Sequence, residues 1–327
     1  MRLFICEFIT GGGMQQEDLP LSLVHEGEMM LQALMRDVTD AGITEIVTTR
    51  DYRLGQIGGT CRVFNKHDDV WETWCNIMQT VDAVWPIAPE TGGDLLRLTE
   101  LALACDCALI GCTPDAVTLT SSKRKTFQCL SQHQLPVVDT YTLDEYIPDF
   151  DDGWILKPDD GVGGSNCRHI NERNMLEETL CTLSSKENYI IQPYIKGEPA
   201  SLSLLCYRQT GVLMASNQQK FVFNGEHGRL EGLVVNGMTE QWSILEKMAM
   251  EIASAIPGLA GYVGVDFISS KDGPRIIEIN PRLTTAYAGL RESLDINPVA
   301  MIFNLFETGQ YPSVRIKKRL PVTIDLH

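Results

Sequence analysis

Long apolar runs and an excess of basic residues are both missing from this sequence. A membrane-spanning helix needs roughly 18 consecutive apolar residues, and no stretch of the chain approaches that length. The 327 residues include 27 lysines and arginines against 43 acidic residues, so the formal net charge is −16. An acidic surface argues against general nucleic-acid binding, which needs basic patches. We therefore expect neither a membrane nor a nucleic acid as a partner.

Paired cysteine motifs are missing as well. The ten cysteines include no CxxC, and the closest pair is Cys105 and Cys107. Such usage is typical of a reducing cytoplasm with buried thiols, and it disfavours a disulfide framework or a cysteine-bound metal. Residues 1–7 reach a charged residue, Glu7, after a short apolar run, which predicts a first strand and not a signal peptide. A cytoplasmic location is the expectation.

The first third of the chain alternates strand signals with helical periodicity. This pattern predicts an open parallel α/β sheet. Strands are expected at 3–8, 46–48, 83–87 and 109–111, and helices near 26–41, 68–80 and 95–102.

From residue 113 the pattern changes to a smaller α+β unit, and the remainder is richer in strands. The smaller unit is expected to contain helices at 121–132 and 171–183 and strands at 137–142, 189–192 and one that ends at Lys157. The last part is expected to contain strands at 201–207, 212–216, 221–223, 263–268 and 275–279, and a helix at 242–256. We therefore predict three domains, at 1–112, 113–190 and 191–327.

Three polar side chains interrupt apolar strands in the last domain. Glu278 and Asn280 are two residues apart on one predicted strand, so they point to the same face. Ile277 and Ile279 are expected to face a core. Asp266 lies on the preceding strand, and a predicted hairpin brings the three oxygen ligands together. Such ligands suit Mg²⁺ or Mn²⁺ held jointly with phosphate oxygens, whereas a polar solvated face explains Glu278 alone.

A lysine followed by a glycine-rich loop forms the second motif. Lys157 ends an apolar strand, and glycines let backbone N–H groups approach phosphates without a side chain between them. The motif is not a P-loop, because Lys157 precedes the glycines and no GxxxxGK[ST] occurs. Taken alone, a glycine-rich hairpin turn is the commoner explanation. The loop residues of interest are Gly161, Gly163, Gly164 and Ser165.

A third motif joins an apolar strand to an irregular segment. The strand ends at Gln192, and the free backbone groups near Tyr194 and Ile195 can bind the edge of an adenine. Glu198 can accept hydrogen bonds from ribose hydroxyls. A plain strand-to-turn connection explains this segment equally well.

The three motifs, in this order and with Ser122 and Lys123 upstream, resemble the ATP-grasp superfamily over roughly residues 113–292. The resemblance implies an ATP-grasp fold, in which an N-terminal open parallel sheet precedes two α+β subdomains that clasp ATP under a glycine-rich lid. Ser122 stands where the family usually has Asp. The resemblance implies nucleotide contacts at Lys123, Lys157, Gln192, Tyr194, Ile195 and Glu198, metal ligands at Asp266, Glu278 and Asn280, and a phosphate contact at Arg282.

Shorter motifs at 6–13, 87–91 and 280–285 resemble the branch of this family that contains the tyramine–glutamate ligases of methanofuran biosynthesis. This resemblance implies ATP-dependent joining of a carboxylate to an amine through an acyl-phosphate, with L-glutamate and tyramine or a tyrosine-like amine as substrates. Glu90 follows a strand, where open α/β sheets bind ligands. Further candidates are Glu7 and Gly12 for substrate and Lys220 and Arg291 for the acyl-phosphate; a plain turn or surface charge explains these residues as well.

Three other functions stay open. A ligase that adds amino acids to a protein tail predicts a basic or aromatic groove, which the acidic composition does not favour. A non-catalytic ATP-binding module predicts a broken metal set. A dinucleotide enzyme predicts GxGxxG, but residues 11–16 read GGGMQQ. No general base stands out, and we expect small-molecule substrates. The sequence leaves the oligomeric state open, with a homodimer as one alternative.

Overall fold

The first sheet consists of five parallel strands. The computed structural model describes residues 1–58, 60–164, 166–183, 185–311, 316 and 318–326. The strands are β1 (Arg2–Glu7), β2 (Glu45–Arg50), β3 (Thr60–Val63), β4 (Ala83–Ile87) and β5 (Ala108–Leu109). Their order is β3-β2-β1-β4-β5, so β1 is central. The predicted open parallel sheet is confirmed.

Three helices accompany this sheet: α1 (Leu21–Asp40), α2 (Val70–Met78) and α3 (Asp94–Ala104). Helix α3 buries Leu95, Leu98 and Ala102, as their spacing predicts. Helix α1 begins five residues before its predicted start. The prediction missed the first turn because those residues are not packed on the core and show no apolar periodicity. Leu21 is 84% exposed.

The second sheet is antiparallel and has ten strands. Its order is β14-β13-β10-β11-β12-β8-β7-β9-β6, with β15 paired to β12. The strands are β6 (Tyr141–Thr142), β7 (Trp154–Pro158), β8 (Arg168–Ile170), β9 (Tyr189–Pro193), β10 (Glu198–Tyr207), β11 (Thr210–Asn224), β12 (His227–Val235), β13 (Gly261–Ser270), β14 (Gly273–Asn280) and β15 (Val322–Asp325).

Six helices accompany the second sheet among the described residues: α4 (Pro114–Thr120), α5 (Lys123–Gln132), α6 (Arg173–Thr182), α7 (Trp242–Ala255), α8 (Tyr287–Leu294) and α9 (Pro298–Thr308). Helix α7 packs closely on β11, since a Cβ on Gly211 would lie 2.8 Å from Ala253 Cβ and 2.9 Å from Ala249 O. No helix in the described ranges combines the length and apolar character that crossing a bilayer requires.

A narrow seam divides the second sheet. Strands β8 and β12 share one residue pair, Arg168 and His227. Two backbone hydrogen bonds support it, from His169 N to Glu226 O and from Gly228 N to Cys167 O, each 2.9 Å long. Strand β9 pairs with β6 and β7, so the predicted boundary after residue 190 falls inside a strand of the central group. The three domain boundaries stay predictions.

Several strands and helices differ from the sequence-based prediction or were not predicted. Strand β11 is continuous where two strands were predicted, because its central polar residues are satisfied inside the sheet. Asn217 Nδ2 donates to Ser201 Oγ and Ser203 Oγ, each at 3.2 Å. The predicted strand 137–142 is wrong over most of its length: Val137 forms one bridge to Ile276 and pairing resumes at β6. The unpredicted elements are β3, β8, β12, β15, α4, α8 and α9.

Two of the predicted substrate residues, Glu7 and Gly12, lie at the turn after β1. Glu7 is 3% exposed, and its carboxylate accepts hydrogen bonds from the backbone N–H groups of Ile9 and Thr10 and from Thr10 Oγ1. Gly12 has φ +105°, and a Cβ there would lie 2.6 Å from the Phe64 ring. Both residues therefore have a structural role in the turn, and their substrate contacts stay predictions.

Asp37 joins the first helix to the last third of the chain. It is fully buried and accepts hydrogen bonds from Tyr287 Oη and Arg291 Nη1, each 3.0 Å long. Arg291 also contacts Asp40 at 2.6 Å. The expectation that Arg291 contacts an acyl-phosphate is not supported, because its guanidinium is engaged by α1.

Replacing Asp37 should destabilise the fold. Asp37→Ala leaves the buried Tyr287 hydroxyl without its acceptor and the Arg291 guanidinium with Asp40 alone, so we expect a loss of about 2–3 kcal/mol in unfolding free energy. Chemical denaturation measures it. Asp40→Ala is the matched control, because that side chain is half exposed and should cost less than about 1 kcal/mol. Equal losses in the two variants would contradict this role of Asp37.

Glu7 should make stability depend on pH. Burial raises the pKa of Glu7 to about 7, against 4.5 for the ordinary carboxyl. A raised folded-state pKa stabilises the protein below pH 4.5, and that stabilisation is lost as the pH rises through 7. The unfolding free energy of the wild type minus that of Glu7→Gln should therefore fall by up to about 3 kcal/mol between pH 5 and 8. A difference that is constant over this range would refute the assignment.

Candidate active site

A cavity of about 290 Å³ lies between the central strands β7 and β9 and the larger group β11, β13 and β14. Ten of the predicted site residues line it together, although they come from both sides of the seam. They are Lys123, Lys157, Gly161, Gly163, Gly164, Gln192, Tyr194, Ile195, Asp266 and Glu278.

The acidic side of the cavity is built on the β13–β14 hairpin. Asp266 and Glu278 face each other across the two strands. Asn280 Nδ2 donates to Asp266 Oδ2 at 3.1 Å, and Gln219 Nε2 donates to Asp266 Oδ1 at 2.9 Å. The hairpin therefore brings Asp266, Glu278 and Asn280 together as its pattern predicts.

A bulge changes the neighbours of these residues. The register shifts so that Asp266 pairs with Glu278 while Phe267 pairs with Ile276. Ile277 is the extra residue and lines the cavity, whereas Ile276 and Ile279 are buried. The prediction that Ile277 faces the core is wrong, because strict alternation does not hold across a bulge.

Two lysines face this acidic side. Lys123, in the first turn of α5, lies 3.1 Å from Glu278 Oε2 and donates to Gly161 O at 2.6 Å. Ser122 begins this helix by accepting a hydrogen bond from Lys125 N at 3.1 Å. Lys157 is 9% exposed, and its ammonium has no hydrogen-bond or ion-pair partner among the described residues. Burial lowers the pKa of Lys157, with Glu278 acting in the opposite direction.

The two carboxylates differ in charge state. Burial raises the pKa of Asp266 to about 7, and the neighbouring charge of Glu278 adds to this effect. Burial acts in the same direction on Glu278, but Lys123 and Lys157 outweigh it and lower the pKa of Glu278 to about 2. The site thus holds one firmly ionised carboxylate beside a second that a cation would ionise.

The opposite end of the cavity is apolar and aromatic. Gln192 Nε2 donates to Thr140 Oγ1 at 2.9 Å, and the Tyr194 ring stacks on His169 with centroids 4.0 Å apart. The backbone N–H and carbonyl of Ile195 take no part in a backbone hydrogen bond within the described ranges. Glu198 is exposed at the rim and does not line the cavity, although Gly197 and Pro199 on either side of it do.

The glycine-rich loop covers part of the cavity. Gly163 and Gly164 have φ of +62° and +73°, which favours glycine. A Cβ on Gly164 would lie 2.7 Å from the Phe221 ring, so only a glycine allows this close approach. Ser165 lies outside the described residues.

Arg282 follows β14 and is held by Glu90, which follows β4. Arg282 Nε and Nη2 donate to Glu90 Oε2 at 3.0 and 2.8 Å. Burial opposes the charge on Arg282, but Glu90 raises the pKa of the guanidinium. Neither residue lines the cavity, and their ion pair joins the two sheets.

Lys220 is placed elsewhere. It is exposed and forms an ion pair of 2.9 Å with Glu231, whereas Gln219 and Phe221 on either side of it line the cavity. Because side chains alternate along β11, Lys220 faces away from the cavity. The structure does not support its predicted acyl-phosphate contact.

The sequence analysis missed the contribution of β11. Gln219, Phe221 and Phe223 all line the cavity. Their period-two spacing was the available signal, but the strand was divided at this point. Nothing local to Gln219 indicates that it donates to Asp266, because the contact crosses 47 positions of sequence.

Family models and curated relatives match most of the chain. A model for the ATP-grasp domain matches residues 120–286, and one for the pre ATP-grasp 3 domain matches residues 44–117. The tyramine–L-glutamate ligase of Methanocaldococcus jannaschii is 24% identical over 295 residues, or 87% of this chain and 83% of that protein. The tetrahydromethanopterin:alpha-L-glutamate ligase of the same organism is 28% identical over 200 residues, or 56% of this chain and 65% of that protein.

Solved structures share the fold. A crystal structure of an ATP-grasp superfamily protein from Archaeoglobus fulgidus covers 100% of both chains with a TM-score of 0.74 and 23% identity. The L-amino acid ligase from Bacillus licheniformis covers 93% of this chain and 73% of its own, with a TM-score of 0.66 and 16% identity. Since the ATP-grasp domain model spans more than half of the sequence and the fold agrees along its length, this chain belongs to the ATP-grasp family.

Proposed function

We propose that this protein is an ATP-dependent ligase that joins a carboxylate to an amine and releases ADP and phosphate. The observation that carries the proposal is the buried Lys157 ammonium. Within the described residues it forms no hydrogen bond or ion pair, and it shares the cavity with Lys123, Glu278 and Asp266. Burial lowers the pKa of Lys157 although Glu278 and Asp266 act in the opposite direction, so a phosphate group in the cavity would add the close anionic contact that this ammonium lacks. The names of the ligase relatives support the same class of reaction.

The two ends of the cavity suit the two ends of a nucleotide, its base and its phosphates. The aromatic end near Tyr194 and Phe223 accepts a planar base, and the open backbone groups of Ile195 are available to its edge. Glu198 at the rim is in reach of ribose hydroxyls, and Gln192 lines the base-binding end. Lys123, Lys157 and the glycines of the loop surround the phosphate end.

The acidic hairpin fits Mg²⁺ or Mn²⁺. Asp266, Glu278 and Asn280 would hold the ion, with the Asn280 amide turned so that its oxygen faces it. Two carboxylates and one amide would leave coordination positions that phosphate oxygens of the nucleotide and water could fill. When bound, the ion supplies positive charge against the phosphates.

The reaction proceeds in two displacements. An oxygen of the carboxylate substrate attacks the γ-phosphorus, and the bond from that phosphorus to the bridging oxygen breaks to release ADP. The amine nitrogen then attacks the acyl carbon, the carbon–oxygen bond to phosphate breaks, and the departing phosphate takes up the amine proton. Lys123 and Lys157 stabilise the charge on the transferred group, and the glycine-rich loop keeps water away from the acyl-phosphate.

The specific substrates that we propose are L-glutamate and tyramine or tyrosine, as part of methanofuran-type cofactor synthesis. They follow from the tyramine–L-glutamate ligase relatives, which match 87% of the chain. We place the substrates on the side of the Arg282–Glu90 pair, because Glu90 follows β4 and open α/β sheets bind ligands at the carboxyl ends of their strands. A test measures ADP release by the purified protein with a panel of acids and amines. ADP release that no pair stimulates would refute the proposed function.

Glu278 should be required for turnover. Glu278→Gln keeps the shape but removes the ionised carboxylate between two lysines, so we expect kcat to fall at least about 100-fold. Circular dichroism should show an unchanged fold. Glu240→Gln, at an exposed position outside the cavity, is the matched control and should keep wild-type turnover. Retained turnover in Glu278→Gln would remove this residue from the site.

Replacing Lys157 should raise the stability of the nucleotide-free protein and weaken its binding of ATP. Lys157→Met removes a buried ammonium whose pKa burial lowers despite the neighbouring Glu278, so we expect the nucleotide-free protein to gain about 1–3 kcal/mol in unfolding free energy. The same change should weaken ATP binding about 10- to 100-fold, because a charged contact to phosphate is lost. Chemical denaturation and calorimetric titration with ATP measure the two effects. A destabilised variant with unchanged ATP affinity would contradict both expectations.

A further inference from the structure

Asp160 begins the glycine-rich loop and contacts the first sheet. The Gly92 backbone N–H donates to Asp160 Oδ2 at 3.0 Å, and Thr91 Oγ1 donates to the Asp160 carbonyl at 2.9 Å. Gly92 has φ +67°, a conformation that favours glycine and forms the turn in which this N–H meets the carboxylate. Two contacts, one to the side chain and one to the backbone of Asp160, thus fix the entry of the loop.

The same short segment holds Arg282. Glu90 directly precedes Thr91, and its carboxylate accepts two hydrogen bonds from the Arg282 guanidinium. The pair is mostly buried, with side-chain exposures of 12% for Arg282 and 5% for Glu90. Residues 90–92 therefore contact the arginine beside the acidic hairpin and the glycine-rich loop at once.

The first turn of α5 anchors the loop on its other side. Lys123 N donates to Asp159 O at 3.1 Å, and Arg124 N donates to Asp159 Oδ1 at 2.8 Å. Asp159 and Asp160 thus bind two different parts of the chain, and the glycines that line the cavity follow immediately. The α5 anchor lies within the central unit, so only the Asp160 contacts tie the loop entry to the first sheet among the described residues.

We propose that Asp160 is a positioning residue that fastens the glycine-rich loop to residues 90–92. Closure of the loop over the nucleotide then depends on the same segment that positions Arg282. This inference rests on the proposed ligase function for its consequence: the loop shields the acyl-phosphate only while residues 90–92 are in place. Loss of the fastening should let water reach the intermediate and uncouple ATP cleavage from amide formation.

Two pairs of substitutions distinguish the effect of losing a hydrogen bond from the effect of losing a charge or changing side-chain volume. Asp160→Asn keeps an oxygen that accepts from Gly92 N–H but removes the charge, whereas Asp160→Ala removes the acceptor. Thr91→Ser keeps the hydroxyl, whereas Thr91→Val removes it at similar volume. A purely structural role would lower the melting temperature of the Ala and Val variants without a selective effect on the loop.

Hydrogen exchange on the ligand-free protein tests the fastening without any activity. The amides of residues 161–164 should exchange about 3- to 10-fold faster in Asp160→Ala and Thr91→Val. In Asp160→Asn and Thr91→Ser they should stay within about twofold of wild type, and amides of α7 should be unchanged in all four. Equal loop exchange in wild type and Asp160→Ala would overturn the proposal.

The coupling ratio tests the consequence. With the substrate pair that stimulates ADP release most, the amide formed per ADP should fall about 3- to 10-fold in Asp160→Ala and recover in Asp160→Asn. An unchanged ratio in Asp160→Ala would overturn the role in coupling. If the wild type releases no ADP with any pair, the ligase function fails, and the exchange experiment still decides whether Asp160 fastens the loop.

Discussion

The placement of buried charge on the β13–β14 hairpin is the constraint on which the site depends. Glu278 lies beside Lys123, Lys157 forms no described hydrogen bond or ion pair, and Asp266 accepts hydrogen bonds from Asn280 and Gln219. Buried ions are costly unless they are paired. The neighbouring strands hold these charges in one cavity, where under the proposed function a phosphate would give Lys157 a close anionic contact.

Much of this arrangement could be predicted from short-range patterns in the sequence. The strand alternation that contains Asp266, Glu278 and Asn280, the Lys157 strand and the glycines are all short-range signals, and they converge in one cavity. The parallel first sheet followed from its alternation of strands and helices. Such signals report which face a side chain occupies, provided that the strand is regular.

Long-range contacts explain what the sequence could not indicate. Arg291 and Lys220 have the right charge for a phosphate, but Asp37 on α1 engages Arg291 and Glu231 on the neighbouring strand β12 engages Lys220. The bulge at Ile277 depends on how β13 and β14 pair, and the division of β11 followed from polar residues whose partners lie on β10. In each case the deciding contact joins residues that are far apart in sequence or depends on the pairing of two strands.

The close packing of α7 on β11 supports one side of the cavity. With almost no space between Gly211 and the helix, the strand that carries Gln219 and Phe221 is backed by a rigid support. Across the cavity, the described residues of β7 to β9 pair with this support at one position, Arg168 of β8 with His227 of β12. Strand pairing therefore restrains the central strands less than the acidic hairpin, whose strand β13 also pairs with β10 over residues 261–269.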